Sequence, residues 1–76
     1  MTLDTIPKKT QARVVSVDVS SSGGLRLMEM GIVPGASLRV LKSAPLGDPI
    51  QISLRSSHLA LRREEARAIH VRLCEE

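Results

Sequence analysis

Three side chains of this sequence could bind a transition metal: His58, His70 and Cys74. The sequence contains no C-x-x-C or H-x-x-x-H pair, the usual spacings of metal-binding residues. On a strand, four residues span about 13 Å, so His70 and Cys74 need a ligand from elsewhere to hold one ion. We therefore expect both histidines to be exposed surface residues and no bound cofactor, and a zinc ion shared between two molecules is the alternative.

The residues that could act as nucleophiles do not form a recognisable catalytic pattern. The serines cluster in turn segments, where their usual roles are capping and local hydrogen bonding. Gly23 and Gly24 lack the Lys and Ser/Thr that complete a phosphate-binding loop. The sequence predicts a protein that is not an enzyme.

The composition limits the kind of partner. The 76 residues include no Phe, Trp or Tyr, so the rings that stack nucleic-acid bases or line proline-peptide grooves are missing. The net charge is +3, but the 11 basic and 8 acidic residues are interleaved, as on an ordinary surface. A basic barrel that binds nucleic acid remains the alternative, because the isoelectric point is about 9.8.

The sequence is typical of a single small cytoplasmic domain spanning residues 1–76. A chain of this size buries roughly 60% of its unfolded surface, so the core is small. No segment approaches the ~20 apolar residues of a membrane helix, and "MTLDTIPKKTQ" lacks the apolar centre of a signal peptide. The single cysteine cannot form an internal disulfide, which suits a reducing compartment.

The hydrophobic pattern predicts five short strands and one short helix. The strand segments are rich in β-branched residues or alternate between apolar and polar residues; they are 12–19, 37–43, 50–54, 58–62 and 69–73. In the last strand, Ile69, Val71 and Leu73 are expected on one face. The helix is predicted over residues 25–30, between the first two strands, and "REEARA" allows one further helical turn. The fold class is therefore mainly β, a small antiparallel barrel.

Glycines and prolines mark the turns of this predicted barrel. Pro34 and Gly35 fit the two central positions of a type II turn, in which the second residue needs a positive φ. The expected turn residues are Gly31 at the helix end, Pro34, Gly35, Gly47, Asp48, and Pro49 at the start of the third strand. Arg62 and Arg63 are expected to be solvated residues of a later turn.

Apolar residues beyond those needed for the core suggest a binding surface. Leu27 and Met30 can share the core face of the helix, which leaves Leu25 and Met28 as an exposed apolar patch. Pro45 and Leu46 in "APLGDP" would add a rigid apolar loop to it, and the alternative is that Leu46 covers an open end of the barrel.

Three segments in fixed order closely resemble the FeoA family, ferrous iron transport protein A: "LMEMGIVPG" (27–35), "APLGDPIQI" (44–52) and "LALRREEARAI" (59–69). The resemblance implies an SH3-like barrel in the cytoplasm. It also implies a role in bacterial iron(II) uptake through contact with FeoB, a membrane permease with a cytoplasmic GTP-binding domain. Ser56 and Ser57 depart from the pattern, because relatives often have a turn glycine there. We expect the protein neither to bind nucleic acid nor to insert into a membrane, and weak self-association is possible. A further alternative function is that of an iron-binding sensor or chaperone.

Overall fold

A computed structural model describes residues 1–20, 23–43, 47–55 and 57–74. Five strands form one antiparallel sheet in the order β4-β3-β2-β1-β5. The strands are β1 (Gln11–Val17), β2 (Ser37–Ser43), β3 (Ile50–Leu54), β4 (Ser57–Leu61) and β5 (Ile69–Leu73). The predicted mainly β, five-stranded antiparallel fold is confirmed.

Three short helical segments lie between or before the strands. Helix α1 (Gly24–Glu29) connects β1 to β2, as expected, and α2 (Arg63–Ala66) is a single turn between β4 and β5. A 3-10 helix, Leu3–Thr5, precedes the sheet and was not predicted. None of the helices in the described segments is long and apolar enough to cross a membrane.

One face of the sheet forms the core. In β3 the alternation is regular, with Ile50, Ile52 and Leu54 buried, because successive side chains of a strand point to opposite faces. Leu3 of the 3-10 helix is fully buried in the same cluster. Leu73 lies on the same face of β5 as the buried Val71, as predicted, because it pairs with the buried Ala12, although Leu73 itself is 46% exposed. Leu73 is the last residue of β5 and lies at the margin of the core.

Two irregularities in the ladders turn side chains away from the core. The β1–β5 register shifts between Val14 and Ser16, and the β2–β3 register shifts between Val40 and Lys42. An extra residue in one strand interrupts the alternation of faces. In β1, Val15 and Ser16 are therefore both exposed, and Val17 returns to the core side of the sheet.

Hydrogen bonds after α1 turn the chain sharply back into the sheet. The Gly31 N–H donates to the carbonyl of Met28 and the Ile32 N–H donates to the carbonyl of Leu27, both at 3.1 Å, which is the Schellman pattern. Gly31 has φ +100°, a conformation that glycine adopts without strain. The end of α1 is thereby fixed with Leu27 and Ile32 both in the core.

The segment Pro34–Gly35 makes the turn that leads into β2. The Ala36 N–H donates to the carbonyl of Val33 at 2.9 Å, and Gly35 has φ +91°. A proline at the first central position and a positive φ at the second define a type II turn. At the next turn Gly47 has φ +81°, and Pro49 directly precedes β3.

Candidate partner surface

The outward side of α1 carries an exposed leucine. Leu25 is 64% exposed and Met28, three residues later, is half-buried, and residues three apart lie on the same side of a helix. Leu27 is fully buried and Met30 packs against the core. The helix therefore divides its apolar residues between the core and the surface.

Val19 belongs to the same region although the sequence pattern assigned it to the first strand. Strand β1 ends at Val17, and Val19 is 55% exposed. A Cβ added to Gly24 would lie 3.0 Å from the Cα of Val19, so the backbone at Val19 contacts the first residue of α1. We call Val19, Leu25 and Met28 the α1 surface.

Contacts at both ends hold α1 in place. Its first residue, Gly24, is buried against the backbone of Asp18 and Val19, and the Schellman bonds fix its last turn. On its side, Arg26 Nη2 lies 3.4 Å from Glu65 Oε2 of α2. The other carboxylate oxygen of Glu65 accepts the Arg62 N–H at 2.9 Å. The α1 surface is thus ordered before any partner binds, which lowers the entropy cost of binding.

Arg63 connects α2 to two other segments. Its Nε donates to the Gly47 carbonyl at 3.1 Å and its Nη1 donates to the Asp4 carbonyl at 3.2 Å. Its backbone N–H donates to Asp48 Oδ1 at 3.1 Å. The expectation that Arg63 is a solvated turn residue was therefore wrong. Its long side chain reaches carbonyls that are distant in sequence, whereas Arg62 is exposed.

The loop that was expected to extend this surface is only partly described. Pro45 and Leu46 lie outside the described residues, so their place in a binding surface stays a prediction. The base of the loop is held, because Gly47 and Asp48 both accept hydrogen bonds from Arg63.

A surface groove of about 440 Å³ lies beside the C-terminal end of α1. Its apolar lining residues are Met30, Val33, Leu54 and Leu59, and Arg55 also lines it. Sequence reasoning missed it because these residues come from three separate parts of the chain. No run of neighbouring residues signals the groove.

The structure does not bring the three candidate metal ligands together. His58 is exposed on β4 and His70 is exposed on β5, and β4 and β5 are the two edge strands of the sheet. Cys74 is half-buried just after β5, and its N–H donates to the Gln11 carbonyl at 3.1 Å. Within the described ranges, no group of three His, Cys, Asp or Glu side chains could hold a metal ion.

Comparison with known proteins adds to this geometry. The sequence matches the FeoA domain family over residues 1–73. It is 36% identical over 73 residues to the Fe(2+) transport protein A/Fe(2+) transporter FeoB fusion protein of Porphyromonas gingivalis. The match covers 96% of this chain and 9% of the fusion protein, so this chain corresponds to a small part of that relative.

Solved structures share the fold. The FeoA protein from Chlorobium tepidum is 40% identical with a TM-score of 0.89, and the match covers 99% of this chain and 71% of that one. Stenotrophomonas maltophilia FeoA, a procaryotic SH3 domain protein solved in complex with zinc, is 33% identical with a TM-score of 0.83. That match covers 95% of this chain and 89% of the other. The five-stranded sheet with its short helix is thus an SH3-like FeoA fold.

Proposed function

Since this chain belongs to the FeoA family, we propose that it is a cytoplasmic, non-enzymatic accessory protein of ferrous iron uptake that binds a FeoB-type permease. The observation that carries the proposal is the Porphyromonas gingivalis relative, in which the two proteins are fused. A fusion keeps two partners at a high effective concentration, so it suits proteins that act in contact.

We propose that the α1 surface makes this contact. Leu25 is a large apolar side chain that is 64% exposed on a helix fixed at both ends. Burying such a side chain contributes about 1.5–3 kcal/mol, and its preordered position reduces the entropy lost on binding. Val19 and Met28 extend the apolar area around it. The loop residues Pro45 and Leu46 are proposed to extend the same surface.

The test measures binding of the full chain to a detergent-solubilised FeoB-type transporter from the same organism. Leu25→Asp should raise the dissociation constant by about 10- to 100-fold, because the apolar contribution of Leu25 is lost and a charge is buried. Val15→Asp is the matched control, since Val15 is 53% exposed but lies on β1. It should bind like the unmodified chain.

Thermal unfolding of both variants separates binding from folding. Changes at exposed positions leave the free energy of unfolding within about 0.5 kcal/mol. If Leu25→Asp is folded and binds the transporter as tightly as the unmodified chain, the α1 surface is not the contact. If neither the unmodified chain nor its variants bind, the proposed partnership itself is wrong.

A further inference from the structure

The charged residues of the sheet all carry one sign. The strands contain Arg13, Arg39, Lys42 and Arg72 but no Asp or Glu. The acidic residues of the described segments lie outside the strands, in helices and turns: Asp4, Asp18, Glu29, Asp48, Glu64 and Glu65. Charges that are interleaved along the sequence are therefore separated in the fold.

The three arginines of the strands are neighbours on the outer face of the sheet. Arg72 of β5 lies directly opposite Arg13 of β1, and Arg39 of β2 lies opposite Gln11, two residues before Arg13. All three side chains are exposed. Adjacent strands are about 4.8 Å apart, so the group covers three strands over about 10 Å. We call Arg13, Arg39 and Arg72 the basic face.

The charge of the basic face is not neutralised within the described residues. The ion pairs found there involve other arginines, namely Arg26, Arg63 and Arg67. Arg13 Nη1 donates to the Gly35 carbonyl at 2.9 Å, which orients the guanidinium but leaves its charge. Like charges directly opposite on neighbouring strands repel each other. An anionic partner would relieve this repulsion.

The chemistry around the arginines favours a lipid headgroup over a protein or nucleic acid. The cross-strand partners of Arg13 on β2 and of Arg39 on both sides are polar, namely Ser37, Gln11 and Ser53; the exposed apolar Val15 follows two residues after Arg13 on the same face. Protein interfaces draw most of their binding energy from large buried anchor residues, and the basic face offers no large apolar side chain comparable to the exposed Leu25 of the α1 surface, nor an aromatic ring to stack on bases. Guanidinium groups bind phosphate in a bidentate manner. The partner that best fits this face is therefore a surface rich in phosphate groups, which the arginines bind through their charge.

We propose that the basic face binds the anionic phospholipid headgroups of a membrane surface. The contact is peripheral. It goes beyond the proposed function because it requires no transporter, and it would place the protein at the membrane in which such a permease lies. Two arginines close to an anionic surface correspond to about a 30-fold change in membrane partitioning. Since the attraction is electrostatic, it weakens as salt is added.

The test measures partitioning of the full chain, including Glu75 and Glu76, onto lipid vesicles in low salt. One set contains equal parts phosphatidylglycerol and phosphatidylcholine, and the other contains phosphatidylcholine alone. The Arg39→Gln, Arg72→Gln double variant removes two charges from the basic face and keeps the Arg13–Gly35 bond. The matched control is Lys8→Gln, Lys9→Gln, which removes two charges from exposed residues before β1.

We expect the unmodified chain to bind the phosphatidylglycerol vesicles more tightly than the phosphatidylcholine vesicles, and the arginine variant to lose about 30-fold. The lysine control should lose much less. Equal binding to both vesicle types would overturn the proposal. So would equal losses in the two variants, because net charge alone would then explain binding. Tighter binding to a single- or double-stranded oligonucleotide at the same salt concentration would assign the basic face to nucleic acid instead.

Discussion

Gly24→Ala tests whether α1 is positioned by close backbone contact. Gly24 is buried at the first position of the helix. A Cβ there would lie 2.2 Å from the carbonyl oxygen of Asp18 and 3.0 Å from the Cα of Val19. Both are backbone atoms, so they cannot move aside as the tip of a flexible side chain does. The substitution must displace either the start of α1 or the chain at Asp18.

The expected loss of stability follows from two opposing effects. Alanine is favoured over glycine inside a helix by about 1 kcal/mol, and less at its first position. Against this, the added Cβ would lie more than 1 Å closer to the Asp18 carbonyl oxygen than the 3.4 Å at which ordinary van der Waals contact begins. Overpacking of this kind costs about 1–3 kcal/mol. We expect a net loss of about 1–2 kcal/mol, which lowers the melting temperature of a domain this small by about 4–15 °C.

Thermal unfolding followed by far-ultraviolet circular dichroism measures this loss. Glu29→Ala at the exposed end of the same helix is the control, and its free energy of unfolding should change by less than about 0.5 kcal/mol. If Gly24→Ala melts at or above the temperature of the unmodified chain, helix propensity outweighs the contact, and close packing against the backbone of Asp18 does not position α1.

Two further predictions concern the turns that frame the surface. Gly35→Ala should lower the free energy of unfolding by about 1–2 kcal/mol through its positive φ alone, because no atom lies within 4 Å of the added Cβ. Gly35→Asn should lose less stability than Gly35→Ala. Equal stability of the unmodified chain and both variants would show that the positive φ at Gly35 does not strain these side chains. Arg63→Ala should lose about 1.5–3 kcal/mol in urea unfolding, because the Gly47 and Asp4 carbonyls lose their donor. Arg62→Ala should be nearly neutral, and equal losses for the two arginines would refute that role.

The fold could be predicted where neighbouring residues determine it. The alternation from Ile50 to Leu54 depends only on the two-residue period of a strand, and the structure has the same pattern of burial. The turn at Pro34–Gly35 depends on the backbone preferences of two adjacent residues. Such local signals need no knowledge of the rest of the chain.

The remaining features depend on contacts between distant residues. Leu3 is buried because the N-terminal segment packs onto the sheet, and no periodicity in three residues could show this. Arg63 resembles an ordinary turn arginine in the sequence, but it contacts carbonyls 16 and 59 residues away. Val17 packs against the core on the same side as Val14, three residues earlier, because of a register shift between β1 and β5, which the valine-rich segment itself does not reveal.

The two proposed surfaces are carried by different parts of the fold, so their tests can fail separately. Leu25 lies on α1, whereas Arg39 and Arg72 lie on strands of the sheet. Substitutions that share no partner act independently. Leu25→Asp should therefore leave vesicle binding unchanged, and loss of the two arginines should leave binding to the transporter in detergent unchanged. In an anionic bilayer the effects combine, because binding at the membrane raises the concentration of the chain near its partner. A small protein without an aromatic anchor can then use a weak α1 contact, since the membrane supplies the proximity.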